Sequence, residues 1–91
     1  MEQLDGNAAA GILQAIFPFD MTMAQITCAG CGTTMAIGET AAYMHGMGMV
    51  LRCPVSDTVL IRIAHVKGRV LLDMRGVRVL QINAEAQSTT V

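Results

Sequence analysis

Cys28-Ala29-Gly30-Cys31-Gly32 and Cys53-Pro54-Val55-Ser56-Asp57 are two short segments of similar design, with 21 residues between Cys31 and Cys53. The first sets two cysteines on one tight turn, aims both sulfurs at a single point and follows them with Gly32, whose backbone freedom such a knuckle uses. The second opens the same way and places proline after its cysteine, but carries Ser56 where another thiolate would complete it. The intervening length suits a hairpin that brings the two knuckles face to face. With three cysteines instead of four, three states stay open. One is zinc on three thiolates with a different fourth ligand. Another is a site that has lost its metal, its cysteines packed as small hydrophobes. The third is a set of redox-active thiols with a Cys28–Cys31 disulfide, a reading weakened because Cys28 has no basic neighbour in sequence.

If zinc is held, Cys28, Cys31 and Cys53 are the expected thiolate ligands, with Asp57 offering a charged oxygen at the fourth position. Ser56 is a poorer donor, being a neutral hydroxyl, and a water is a further alternative. His45 and His65 lie eight and twelve residues from Cys53 on extended chain, too far along it to reach the metal. Met44-His45-Gly46-Met47-Gly48-Met49 offers soft donors that suit copper(I), although methionines beside glycines are more often flexible filler around a turn.

Outward from the knuckles the pattern is mostly β. Met21–Thr27 alternates into the first knuckle, Thr33–Ile37 and Ala41–Met44 are short strands around a turn at Gly38, and Met49–Arg52 leads into the second. Val59–Val66, Val70–Arg75 and Val77–Ile82 are β-branched runs separated by Lys67-Gly68-Arg69 and by Gly76, which predicts a three-stranded meander. Before them, Asp5 is placed to cap a helix carrying Ala9, Ile12, Leu13, Ile16 and Phe17 on one stripe, and Pro18 ends it. The expected architecture is a small α+β domain over residues 1–83. A helix at about 5–17 packs on a zinc-ribbon-like antiparallel β assembly over 21–83, closed by the C-terminal meander. Residues 84–91 read as a polar tail. No internal repeat or low-complexity segment is read.

Ninety-one residues form one domain with a limited core, so a metal or a partner adds useful stability. The chain is 53% hydrophobic with only three aromatic residues, a surplus of aliphatic surface that suggests self-association. Residues 1–51 carry four acids and no Lys or Arg. Residues 52–83 carry all six bases against Asp57 and Asp73, so the two parts are −4 and +4. That polarity fits self-pairing, or a basic face of Arg62, Lys67, Arg69, Arg75 and Arg78 that touches nucleic acid. Against the latter, this half has no aromatic residue on which a base could stack. Glu2 and Asp5 stand where a secretory leader would be basic, and no apolar run is long enough to span a bilayer. A cytoplasmic setting is expected, where cysteines stay reduced or bind metal. There is no phosphate loop, nucleophile elbow or carboxylate-pair motif, so catalysis is not expected.

Leu4-Asp5-Gly6-Asn7, Met21-Thr22, Cys28-Ala-Gly-Cys31-Gly32, Tyr43, Val50-Leu-Arg-Cys-Pro54 and Leu72-Asp-Met-Arg-Gly76 together resemble a family of short bacterial proteins without assigned function. The resemblance runs from about Leu4 to Leu80. It implies a zinc-ribbon-like fold with four cysteines, whose positions here are Cys28, Cys31, Cys53 and Ser56. This chain departs at Ser56, and has Met47-Gly48 where the resemblance implies Pro-Gly. No activity is implied. The reading is therefore a non-catalytic, metal-stabilised interaction module whose contact is a protein partner or a second copy. A nucleic-acid-binding ribbon and a thiol redox sensor are the alternatives.

Overall fold

In the computed structural model, residues 3–46 and 48–82 are described; the polar tail expected at 84–91 lies outside them. The chain begins with β1 (Gln3–Asp5), a 3-10 turn over Gly6–Ala9 and α1 (Ala10–Ile16). Asp5 caps the opening turn as expected, its carboxylate accepting from Asn7 N–H at 3.1 Å. The predicted three-turn helix is thus part 3-10 and part α. Its tight first turn presses on the Ile37–Glu39 turn, where a Cβ on Gly6 would land on the Ile37 carbonyl oxygen. Phe17 is already extended, as a residue before proline prefers.

The strands that follow are β2 (Gln25–Cys28), β3 (Thr34–Ala36), β4 (Ala41–His45), β5 (Gly48–Arg52), β6 (Val59–Val66), β7 (Arg69–Asp73) and β8 (Val77–Gln81). They build two antiparallel sheets, one in the order β1-β4-β5-β6-β7 and the other β3-β2-β8. One buried cluster joins both sheets to the helix: Ile26 and Met35 from the small sheet, Met49, Leu51, Ile61 and Ile63 from the large one, and Leu13 from α1. The fold is mixed α+β with one short N-terminal helix. No helix among the described residues is long and apolar enough to cross a membrane.

Two expectations need correction. Met21–Met23 is a 3-10 turn, not the start of a strand, because Asp20 captures both the Thr22 N–H (3.2 Å) and the Thr22 hydroxyl (2.6 Å). Pairing begins only at Gln25. The second correction concerns the C-terminal meander. β6 and β7 do form a hairpin, but β8 leaves that sheet and pairs with β2. After β7 the Arg75 side chain and N–H turn back onto Asp73, Val77 N–H bonds to the Met74 carbonyl, and Gly76 passes directly over the start of β6. Any side chain at Gly76 would strike the Val59 carbonyl oxygen. The crossing carries β8 to the small sheet and fastens it to the first knuckle, where Ala29 N–H donates to the Gly76 carbonyl at 2.8 Å.

Candidate metal centre

The two knuckles are built alike, residue for residue. In the first, Cys28 N–H donates to the Thr33 carbonyl (2.9 Å) and Gly32 N–H to the Cys28 carbonyl (2.8 Å). In the second, Cys53 N–H donates to the Thr58 carbonyl (2.8 Å) and Asp57 N–H to the Cys53 carbonyl (2.8 Å). Gly32 and Asp57 are equivalent, and both hold positive φ, 80° and 64°. Each knuckle also follows a register irregularity, at Thr27/Cys28 and at Leu51/Arg52. Such bulges re-aim the chain at the end of a strand. The two turns pack on each other through Gly30, where a Cβ would collide with the Thr58 hydroxyl.

This near-symmetry brings the Cys28, Cys31 and Cys53 sulfurs within 4.8 Å of one another. Cys28 and Cys53 are buried, Cys31 is exposed, and all three are free thiols. Cys31 and Cys53 sulfurs stand 3.7 Å apart. Zinc–sulfur bonds of about 2.3 Å at tetrahedral angles put neighbouring sulfurs about 3.8 Å apart, so this pair already spans one edge of a metal tetrahedron. The Ser56 hydroxyl lies 3.5 Å from the Cys28 sulfur. An edge between a sulfur at about 2.3 Å and an oxygen at about 2.0–2.2 Å from zinc is close to that length. The donor set and spacing fit a tetrahedral ion with soft preference.

The surroundings also favour thiolates. Burial works against charge on Cys28, but it is outweighed by hydrogen bonds from the Ser56 hydroxyl, the Cys31 N–H, the Thr58 hydroxyl and the Gly30 N–H. Together they bring the thiol down to about 6. Gly30 N–H stands 3.3 Å from the Cys28 sulfur. Cys31 is lowered chiefly by Thr33, whose hydroxyl is 3.2 Å from its sulfur, with help from Thr33's backbone and Ser56.

The chain matches, over residues 1–85, the model of a family of unknown function, DUF6510. It belongs to that family. No curated protein and no solved structure matches the chain. For this DUF6510 member the resemblance to a family without assigned function therefore holds.

Of the residues singled out in the sequence, the three cysteines come together and Asp57 stands apart from them. Its carboxylate faces away, 3.6 Å from Arg52 Nη1, and the residue is largely exposed. Arg52 also donates to the Asp57 carbonyl (3.1 Å) and lies over the Tyr43 ring, 5.9 Å from its centroid. These residues edge a groove of about 760 Å³ on the outer face of the large sheet, with Val50, Arg62 and Ala64. We expect Asp57→Asn to leave the metal content of the purified protein unchanged, measured by elemental analysis; loss of metal would place Asp57 in the ligand set.

His65 is on β6 and outside the sulfur cluster, and the His45 side chain lies outside the described residues. Among the basic residues, Arg62, Lys67 and Arg69 share the β6–β7 hairpin. Arg75 is clasped to Asp73 at 2.6 Å, and Arg78 is exposed on the other sheet. The sequence reading missed Thr33 and Thr58. Their signal was the short echo Cys28-Ala-Gly-Cys-Gly-Thr33 and Cys53-Pro-Val-Ser-Asp-Thr58, in which each threonine follows its leading cysteine by five residues.

Proposed function

We propose that this protein is a non-catalytic interaction module stabilised by one zinc ion. Cys28, Cys31 and Cys53 supply thiolates and the Ser56 hydroxyl faces the fourth corner. The observation that carries the reading is the spacing at the knuckles: 3.7 Å between two sulfurs and 3.5 Å from the third to Ser56. A catalytic zinc keeps a coordination position for water or substrate, whereas in this reading the Ser56 hydroxyl, 3.5 Å from the Cys28 sulfur, takes up that position. The ion's role is then to lock two knuckles that the chain alone holds by a few backbone bonds. Through Asp57 and Arg52, the second knuckle also sets the edge of the Tyr43 groove. The four-cysteine pattern that the sequence resemblance implies, with Ser56 in place of the last, fits the same assignment, and a reducing cytoplasm suits the free thiols.

Native and denaturing mass measurements on one preparation, made without added metal, test the proposal. We expect a mass difference of one zinc per chain, confirmed by elemental analysis. A folded protein free of metal overturns the zinc reading and leaves the cysteines as core residues.

A further inference from the structure

The large sheet ends in β7, and no described strand pairs with its outer edge. β7 reads Arg69-Val70-Leu71-Leu72-Asp73, basic at one end, acidic at the other and aliphatic between. Its apolar side chains are unusually open, Val70 at 45% and Leu71 at 52% exposed. Lys67 and Gly68, with φ of 48° and 78°, make the two-residue turn of a tight hairpin. Val66 and Arg69 therefore form its first hydrogen-bonded pair, and bonding alternates from there. Arg69, Leu71 and Asp73 direct their backbone groups into β6. Val70 and Leu72 direct theirs outward, to the free edge.

We propose that a second copy of this chain pairs antiparallel with β7, about a twofold axis between the two Leu71 residues. In this register Val70 faces the second copy's Leu72, and each such pair exchanges two backbone bonds. Leu71 meets the second copy's Leu71 on the outer face, which covers the most exposed aliphatic side chain of the strand. Arg69 meets the second copy's Asp73. Because Arg62 is already the cross-strand neighbour of Asp73, charge alternates along that row as Arg62, Asp73 and the second copy's Arg69. Arg75 already clasps the Asp73 carboxylate, so Arg69 adds charge proximity and not a new fork of hydrogen bonds. The charges fix orientation above all: a parallel pairing in register would set arginine beside arginine and aspartate beside aspartate. The two five-stranded sheets would become one continuous sheet, removing an edge that otherwise invites indiscriminate pairing.

This gives the proposed interaction module a partner and a surface and rests on that reading, so zinc is measured on the same samples to let the two fail separately. Sedimentation equilibrium of the full chain is expected to give a monomer–dimer equilibrium with a dissociation constant on the order of 10–100 µM, as suits a small interface. Val70→Pro removes an outward N–H and no bond to β6. It should raise that constant by about tenfold or more while zinc content stays unchanged. Leu71→Cys should yield, on mild oxidation of the zinc-loaded protein, a disulfide mapped to position 71 of both copies. Directly opposed residues of a non-hydrogen-bonded pair sit about 4.5 Å apart at Cα, within disulfide range. A zinc-loaded protein that stays monomeric overturns the inference. So does a dimer that is indifferent to Val70→Pro and forms no link at position 71.

Discussion

Cys53→Ala is expected to abolish stoichiometric zinc binding and to leave the protein without a cooperative thermal transition. Cys53 is buried in the same cluster as Leu51 and Leu60, so two explanations compete for what its removal does. As a small buried hydrophobe, its truncation to alanine costs about 1–2 kcal/mol. In a domain of this size that lowers Tm by about 5–15 °C and leaves the transition sharp. As a zinc ligand, its loss removes a metal whose binding free energy is about 10–16 kcal/mol in small structural sites. That is comparable with the whole stability of an ordinary domain, about 5–15 kcal/mol. The two cases are therefore well separated in magnitude. Calorimetry with metal analysis on the same variant decides between them, and a sharp transition only slightly lowered, with zinc still bound, would refute the three-thiolate site. The wild-type protein treated with a strong chelator should behave as the variant does, because a ligand that binds only the folded state stabilises it by mass action.

Why the fold was half legible follows from where its determinants sit. Local signals were sufficient where short segments fix a turn: Asp5 at the helix start, Pro18 at its end, and the gap read at Lys67-Gly68-Arg69, of which Lys67 and Gly68 make the turn and Arg69 opens β7. They failed where the outcome depends on a partner distant in sequence. Val77–Gln81 has the composition of a strand and is one, but nothing in its own residues says that it pairs with β2 instead of β7. What diverts it is the passage of Gly76 over the Val59 carbonyl and the hydrogen bond from Ala29, contacts that only the folded chain brings together. Met21–Met23 misled for the opposite reason. Its alternation is real, but the side chain of Asp20 offers the Thr22 N–H a closer acceptor than any strand. At the site, the three cysteines were readable from spacing. The placement of the Asp57 carboxylate was not, because it depends on position 57 adopting positive φ and turning its side chain toward Arg52. Comparison with the first knuckle shows the correspondence: Asp57 aligns with Gly32, and Ser56 aligns with Cys31.

That alignment leads to the second large effect, a gain. Ser56→Cys should tighten zinc binding by at least about 100-fold, equivalent to roughly 2.7 kcal/mol, measured by competition against a chromophoric chelator under reducing conditions. The backbone around position 56 already matches that around Cys31, so a thiol introduced there needs no new turn. The wild-type hydroxyl is 3.5 Å from the Cys28 sulfur and 2.8 Å from the Thr58 hydroxyl, which places it beside the sulfur cluster. A thiolate at this corner replaces a neutral oxygen with a charged, softer donor that zinc prefers. The loss of the Ser56–Thr58 hydrogen bond, worth about 1 kcal/mol, opposes this only in part. Reducing conditions matter because the new thiol would face Cys28 and can trap it as a disulfide when metal is absent. Ser56→Ala supplies the opposite arm: it removes the hydroxyl without adding a donor and should weaken zinc by about tenfold while one ion per chain still binds at saturation. Equal affinities in wild type, Ser56→Ala and Ser56→Cys would mean that position 56 does not face the metal and that the fourth corner lies elsewhere. An ordered series, Cys above Ser above Ala, would identify this chain as a weakened four-ligand site whose zinc can be released more readily than that of a complete knuckle pair.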